Sequence, residues 1–105
     1  MKFLLKVTPR RLQVPPVAAV EAAKAWIERE LKSGGMDCCY GFVTGGGISI
    51  SNADTHEAMF HKLMSYPMYP YGDYQVEALC NIDVVFEEIK AMAQRAAARP
   101  AERVN

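Results

Sequence analysis

A chain of 105 residues, half of them hydrophobic and 23% charged, has the size and balance of one globular domain with one core. Its 12 basic and 12 acidic residues cancel, which argues against a nucleic-acid binder with its basic excess. No apolar run approaches the ~20 residues of a membrane-spanning helix. The start, MKFLLKVTPRR, has too short an apolar run for a signal peptide and no small-residue cleavage site after it. The expected protein is cytoplasmic, with no nucleic-acid or membrane partner.

Phe3 to Thr8 alternates, with Phe3, Leu5 and Val7 on one side of a strand and Leu4, Lys6 and Thr8 on the other. Pro9 and Arg10-Arg11 end it. From Val17 to Lys32 the period becomes helical: Val17, Val20, Ala23, Ile27 and Leu31 form a stripe, with Trp26 beside it. Proline before the first turn and Gly34-Gly35 after Ser33 mark its ends.

Met36 to Val43 reads as a second strand, with Met36, Cys38, Tyr40 and Phe42 opposite Asp37, Cys39, Gly41 and Val43. Gly45-Gly46-Gly47 turns the chain into a third strand, Gly47 to Ser51, with Ile48 and Ile50 on one face. No helix start and no Lys-Ser/Thr follow, so the glycines are a hairpin turn and not a phosphate loop. Cys38, Cys39 and Cys80 are odd in number and match no metal-ligand spacing, which predicts small buried hydrophobes, no disulfide framework and no metal.

Asp54-Thr55-His56-Glu57 has capping-box spacing with Asp54 as the cap. The helix behind it runs to about Ser65 and is expected to bury Met59, Phe60, Leu63 and Met64. His56 and His61 fall on different faces, so they are no metal pair. The prolines of Tyr66-Pro67-Met68-Tyr69-Pro70-Tyr71-Gly72-Asp73 forbid helix interior, and its tyrosines offer flat amphipathic surface. A fourth strand follows from Asp73 to Leu79, with Tyr74, Val76 and Ala78 against Gln75, Glu77 and Leu79. Ile82 to Arg99 reads as a helix with Val85, Phe86, Ile89 and Met92 on one side. Pro100 ends it, and the last few residues are expected to be mobile.

Strand, helix, strand, strand, helix, strand is the split βαβ order of an α+β ferredoxin-like domain with a four-stranded antiparallel sheet. Residues 1–105 form one domain, with a core over 2–80 and a helical extension over 82–99. Both helices of the core cover one sheet face. The other face is bare, so a second copy is expected to cover it, giving a dimeric α/β barrel with a cavity between the sheets. If Phe3, Leu5 and Val7 meet the helices, Lys6 faces that cavity, partly desolvated and useful as acid, base or anion anchor. A lysine reaching solvent from the strand is the plain alternative.

The stretch Leu63-Met64, Pro67, Pro70-Tyr71, Asp73, Val76 and Leu79-Cys80 resembles, at the same spacings, the end of the muconolactone δ-isomerases. Leu5-Lys6-Val7-Thr8 resembles that family's first strand, and Glu57-Ala58 its second helix. The resemblance covers residues 54–80 and 2–8. It implies a ferredoxin-like fold, a homodimer or larger homo-oligomer, no cofactor, and a double-bond shift in a small unsaturated lactone acid during aromatic-compound breakdown. That reaction needs a base for a proton α to an unsaturated carbonyl, and a cation or donor for the resulting enolate. By resemblance Lys6 takes the electrostatic role, and Glu77, Asp73 or a helix glutamate is the base. Tyr40, Tyr69, Tyr71 and His61 are the expected substrate contacts. The family's arginine, histidine and tryptophan on the second strand have no counterpart in Met36-Asp37-Cys38-Cys39-Tyr40-Gly41-Phe42. The sequence therefore leaves open two readings: an isomerase, or a non-catalytic homo-oligomeric binding or assembly protein with the face closed by Tyr40, Phe42, Tyr69 and Tyr71. A heme-dependent or quinone-forming oxygenase has only His61 to offer as an axial ligand.

Overall fold

The structure, a computed structural model, describes residues 1–99. The expectations for Pro100 and the residues after it lie outside that range. In chain order the elements are β1 (Lys2–Pro9), α1 (Val17–Ser33), β2 (Met36–Gly41), β3 (Gly47–Asn52), α2 (His56–Met64), a 3-10 turn (Tyr69–Tyr71), β4 (Gly72–Leu79) and α3 (Ile82–Ala97). The strands form one antiparallel sheet in the order β2-β3-β1-β4. This is the expected ferredoxin-like arrangement, with the first strand in the middle.

The register fixes which side chains share a face, because residues directly opposite across a ladder point the same way. Leu5 stands between Ser49 and Val76, and Lys6 between Ile48 and Gln75. The face of Leu5 is the one that α1 and α2 cover, as its shared cavity with Trp26 and Met59 shows. Phe3, buried to 3% exposure, lies on the same face. On β3 the polarity is inverted. Ser49 and Ser51 are buried beneath the helices, while Ile48 and Ile50 point to the bare face.

Strand β2 departs from simple alternation. A register shift between Met36 and Cys38 places an extra residue, Asp37, in the edge strand. Met36 and Cys39 therefore both reach the covered face, where strict alternation would separate them. The Asp37 carboxylate accepts hydrogen bonds from Lys2 Nζ and from Asn52 Nδ2, the latter at 2.7 Å. Those hydrogen bonds hold its pKa below the usual carboxylate value, more than offsetting desolvation.

Helix α1 ends at Gly34, whose φ of 82° is left-handed and suits glycine. Helix α2 begins one residue later than its sequence suggests. The cap is Thr55, not Asp54: its Oγ1 accepts from the Ala58 N–H at 3.0 Å. Met59 is buried as expected, but Phe60 is 57% exposed and Met64 is 40% exposed. The helix is short and touches the sheet along a narrow line. From its last turn Lys62 reaches back to the carbonyls of Gly35 at 2.7 Å and Asn52 at 2.8 Å, and to Glu30 at 3.3 Å. It ties α1, the start of β2 and the end of β3 to α2.

Because the Lys62 and Glu30 side chains are only 15% and 22% exposed, losing the ammonium strands a carboxylate and two carbonyls in a half-dry site. Lys62→Ala is expected to cost about 2–3 kcal/mol, with the transition midpoint in urea shifting and its slope unchanged. A midpoint equal to wild type would assign Lys62 to solvent instead.

Helix α3 does not belong to this body. It makes almost no contact with the sheet or with the other helices, and its apolar stripe, Ile82, Val85, Phe86, Ile89 and Met92, stays exposed. The radius of gyration is accordingly 19.4 Å and the longest extent 64 Å, against ~13 Å of gyration radius for a compact chain of this length. No helix of the described residues is long and apolar enough to cross a membrane.

Candidate functional site

The layer between sheet and helices is not filled. Among the described residues the buried hydrophobic set is small: Phe3, Ala23, Met36 and Met59. Beside them lies a partly open cavity of about 390 Å³. Leu5, Cys39 and Ser49 form its floor on the sheet, and Trp26, Met59 and Leu63 its roof on α1 and α2. Tyr66, Met68, Tyr71 and Tyr74 close it from the tyrosine-rich connection and β4.

The prolines of that connection make this wall possible. They stop α2 and force a path in which Tyr69–Tyr71 forms a single 3-10 turn. Tyr66 meets Trp26 with ring centroids 5.0 Å apart and Tyr74 edge-on at 6.4 Å. Tyr69 stacks on Tyr74 at 5.2 Å. Two polar tips of this aromatic wall are satisfied: Trp26 Nε1 donates to Ser65 Oγ at 3.3 Å, and the Tyr74 hydroxyl donates to the Met68 carbonyl at 3.4 Å.

Burial, then the neighbouring Cys39, pushes the Tyr66 phenol above 10.0. Burial, then Tyr66 and Tyr69, raises Tyr74 further, and burial followed by Cys38 raises Cys39 above 9.0. All three are acids whose folded pKa is raised, so the fold favours their neutral forms. The stability this contributes is complete below the unfolded values and is lost as pH rises from about 9 toward the folded values. Melting temperatures recorded from pH 7 to 11 should fall from about pH 9 upward. A flat profile through pH 11 would show these groups to be solvated.

The residues singled out by sequence are divided between the two sides of the sheet. Tyr71 borders the cavity, and Tyr40, at the cavity's edge, stands opposite Ile48 on the other face. Lys6, Glu77 and Asp73 lie on the other face by register, Lys6 opposite Gln75 and Glu77 one pair further along β4. The Lys6 ammonium sits 6.0 Å from the Phe42 ring centroid. Asp73 is engaged by Arg10, Nε to Oδ1 at 3.0 Å. Tyr69 packs outside the cavity on Tyr74, and His61 is an exposed helix residue edge-on to Phe60 at 5.7 Å. Among the described residues no three His, Cys, Asp or Glu side chains gather as a metal site, and the three cysteines are free.

Trp26, Cys39, Ser49 and Tyr66 also line the cavity, though they were not singled out from the sequence as candidate site residues. The signal for Ser49 was available: a serine between two isoleucines is polar where the strand should be apolar, if that side is the covered one.

No protein-family model matches the chain, and no curated protein matches it. A solved structure does. The crystal structure of muconolactone isomerase aligns with a TM-score of 0.66 at 24% identity, covering 77% of this chain and 90% of that one. The chain has the muconolactone isomerase fold. At this identity the likeness is one of architecture.

Proposed function

We propose that this chain is a homo-oligomeric small-molecule protein of the muconolactone isomerase fold, binding a compact, flat, largely apolar molecule in the cavity between sheet and helices. The observation that carries this is the cavity of about 390 Å³ where a domain of this size would pack its core. Interiors are close-packed, and a void that size with apolar walls is costly unless it is used. Its volume and its aromatic, sparsely polar lining are those of a ligand site.

Trp26 is the only tryptophan and forms part of the roof, so its fluorescence reports occupancy directly. Titration with a panel of monocyclic and bicyclic aromatics and cyclic enones is expected to give saturable quenching for at least one of them. No saturable change with any compound would remove the binding reading.

Two unpartnered surfaces support the oligomer. The bare sheet face carries Leu4, Ile48, Ile50 and Tyr40, and α3 carries its exposed stripe. A two-fold pairing lets each copy cover the other's face.

A second reading places chemistry on that bare face. Supporting it are the fold shared with muconolactone isomerase and the presence of Lys6 and Glu77 on one surface, a diagonal pair apart. With Asp73 held by Arg10, Glu77 is the carboxylate free to take a proton α to an unsaturated carbonyl and return it nearby, while Lys6 stabilises the enolate. On a panel of unsaturated lactones, Lys6→Ala and Glu77→Gln should each lower turnover by ~100-fold or more. Equal turnover in both variants and wild type would end this reading.

A further inference from the structure

Among the described residues, Ser49, Tyr66 and Cys39 bring polar side-chain groups to the cavity that have nothing to bond. Ser49, only 8% exposed, has no side-chain hydrogen bond to another described residue, and neither do the Tyr66 hydroxyl and the Cys39 thiol. They form one group. Cys39 and Ser49 face each other directly across the β2–β3 ladder, and the Cys39 thiol is close enough to Tyr66 to affect its ionisation. Of the other polar tips of the wall, those on Trp26 and Tyr74 are already used, while the Tyr71 hydroxyl makes no side-chain hydrogen bond to a described residue. A nearly buried hydroxyl without a partner costs free energy that a bound acceptor would recover.

What lines the rest of the cavity limits what that acceptor can be. No Asp, Glu, Lys, Arg or His borders it. A carboxylate placed there would lose its hydration with no cation in return. An amine would meet no anion. A neutral carbonyl or ether oxygen can accept from the Ser49 and Tyr66 hydroxyls and leaves no charge unpaired.

We infer that Ser49 and Tyr66 are the polar anchor of the cavity, and that its ligand is a neutral, flat, unsaturated or aromatic carbonyl compound whose oxygen lodges between them beside Cys39. This rests on the cavity being a ligand site and adds the ligand's class. A neutral ligand differs from the lactone acid that the sequence resemblance implies, because the cavity has no basic group for an acid.

Three probes of nearly equal shape separate the possibilities: acetophenone, benzoate and ethylbenzene, each titrated by Trp26 fluorescence and by calorimetry. Acetophenone is expected to bind at least ~5-fold more tightly than ethylbenzene, about the worth of one hydrogen bond, and benzoate more weakly than both. Ser49→Ala and Tyr66→Phe should each weaken acetophenone by ~5-fold and leave ethylbenzene unchanged. Tighter binding of benzoate than of acetophenone, or equal losses for ketone and hydrocarbon in the variants, overturns the anchor while leaving the cavity a binding site. Failure of all three to bind overturns the cavity reading and the anchor together.

Discussion

Phe86→Asp combined with Ile89→Asp is expected to turn the proposed oligomer into a monomer without unfolding the sheet. Both residues stand on the apolar side of α3, 61% and 52% exposed in the single chain, so aspartate there disturbs nothing within it. Burying a Phe or Ile side chain contributes ~1.5–3 kcal/mol, and in a two-fold assembly each position counts twice. The pair of substitutions should therefore weaken self-association by at least ~1,000-fold, even before the desolvation of the new carboxylates is counted. Light scattering after gel filtration reads the mass, and circular dichroism confirms the retained fold. A wild-type chain that runs as a monomer, or a variant that keeps the wild-type mass, would refute the role given to α3.

Gly46→Val should be the most destabilising single substitution in the hairpin. Gly46 has a φ of 81°, and a Cβ built on it would lie 2.2 Å from the Val7 carbonyl oxygen and 3.1 Å from Pro9 Cδ. The left-handed conformation alone costs ~1–2 kcal/mol for a residue with a Cβ, and more when it is β-branched. The clash is with backbone, so a turned side chain cannot relieve it, and the hairpin has to leave the end of β1. A total of about 3–4 kcal/mol lowers the melting temperature of a domain this size by more than ~10 °C. Gly34 is the control. Its φ is 82° but nothing lies within 4 Å of a built Cβ, so Gly34→Ala should cost only the backbone strain, ~1–2 kcal/mol. Equal melting temperatures for the two variants would contradict the contact between hairpin and β1.

The order of elements was legible because each has a local cause. Alternation marks β1 and β4, the three-four stripe and flanking proline mark α1, and the glycine triplet marks the hairpin. The α2 cap was misplaced by one residue because Asp54 and Thr55 are both good caps, and only the hydrogen bond to Ala58 decides between them. The exposure of Phe60 and of the α3 stripe was not legible. Helical periodicity tells which side is apolar, but not whether anything in the same chain lies against it.

The cavity was hard to see in the sequence for a related reason. Lys6 is conspicuous in sequence because it is a charge between apolar neighbours. The cavity is inconspicuous because its makers are ordinary: a serine, a cysteine, a tryptophan beside a stripe. The bulge at Asp37 moved Met36 and Cys39 to one face, against the period-two rule from which the face assignment was drawn.

The central place of β1 has a consequence for how the chain is made. Lys2 pairs with Leu79 and Pro9 with Gly72, so the first strand to be synthesised receives its last neighbour only after nearly the whole sheet sequence exists. At ~5–20 residues per second on the ribosome, β1 waits several seconds with one edge unsatisfied. The same long separation between paired residues raises the contact order, which slows folding relative to a helical protein of equal length. Completion of the sheet then falls to the tyrosine-rich connection, since it delivers β4 to the waiting strand, and the wall of the cavity is built in the same step.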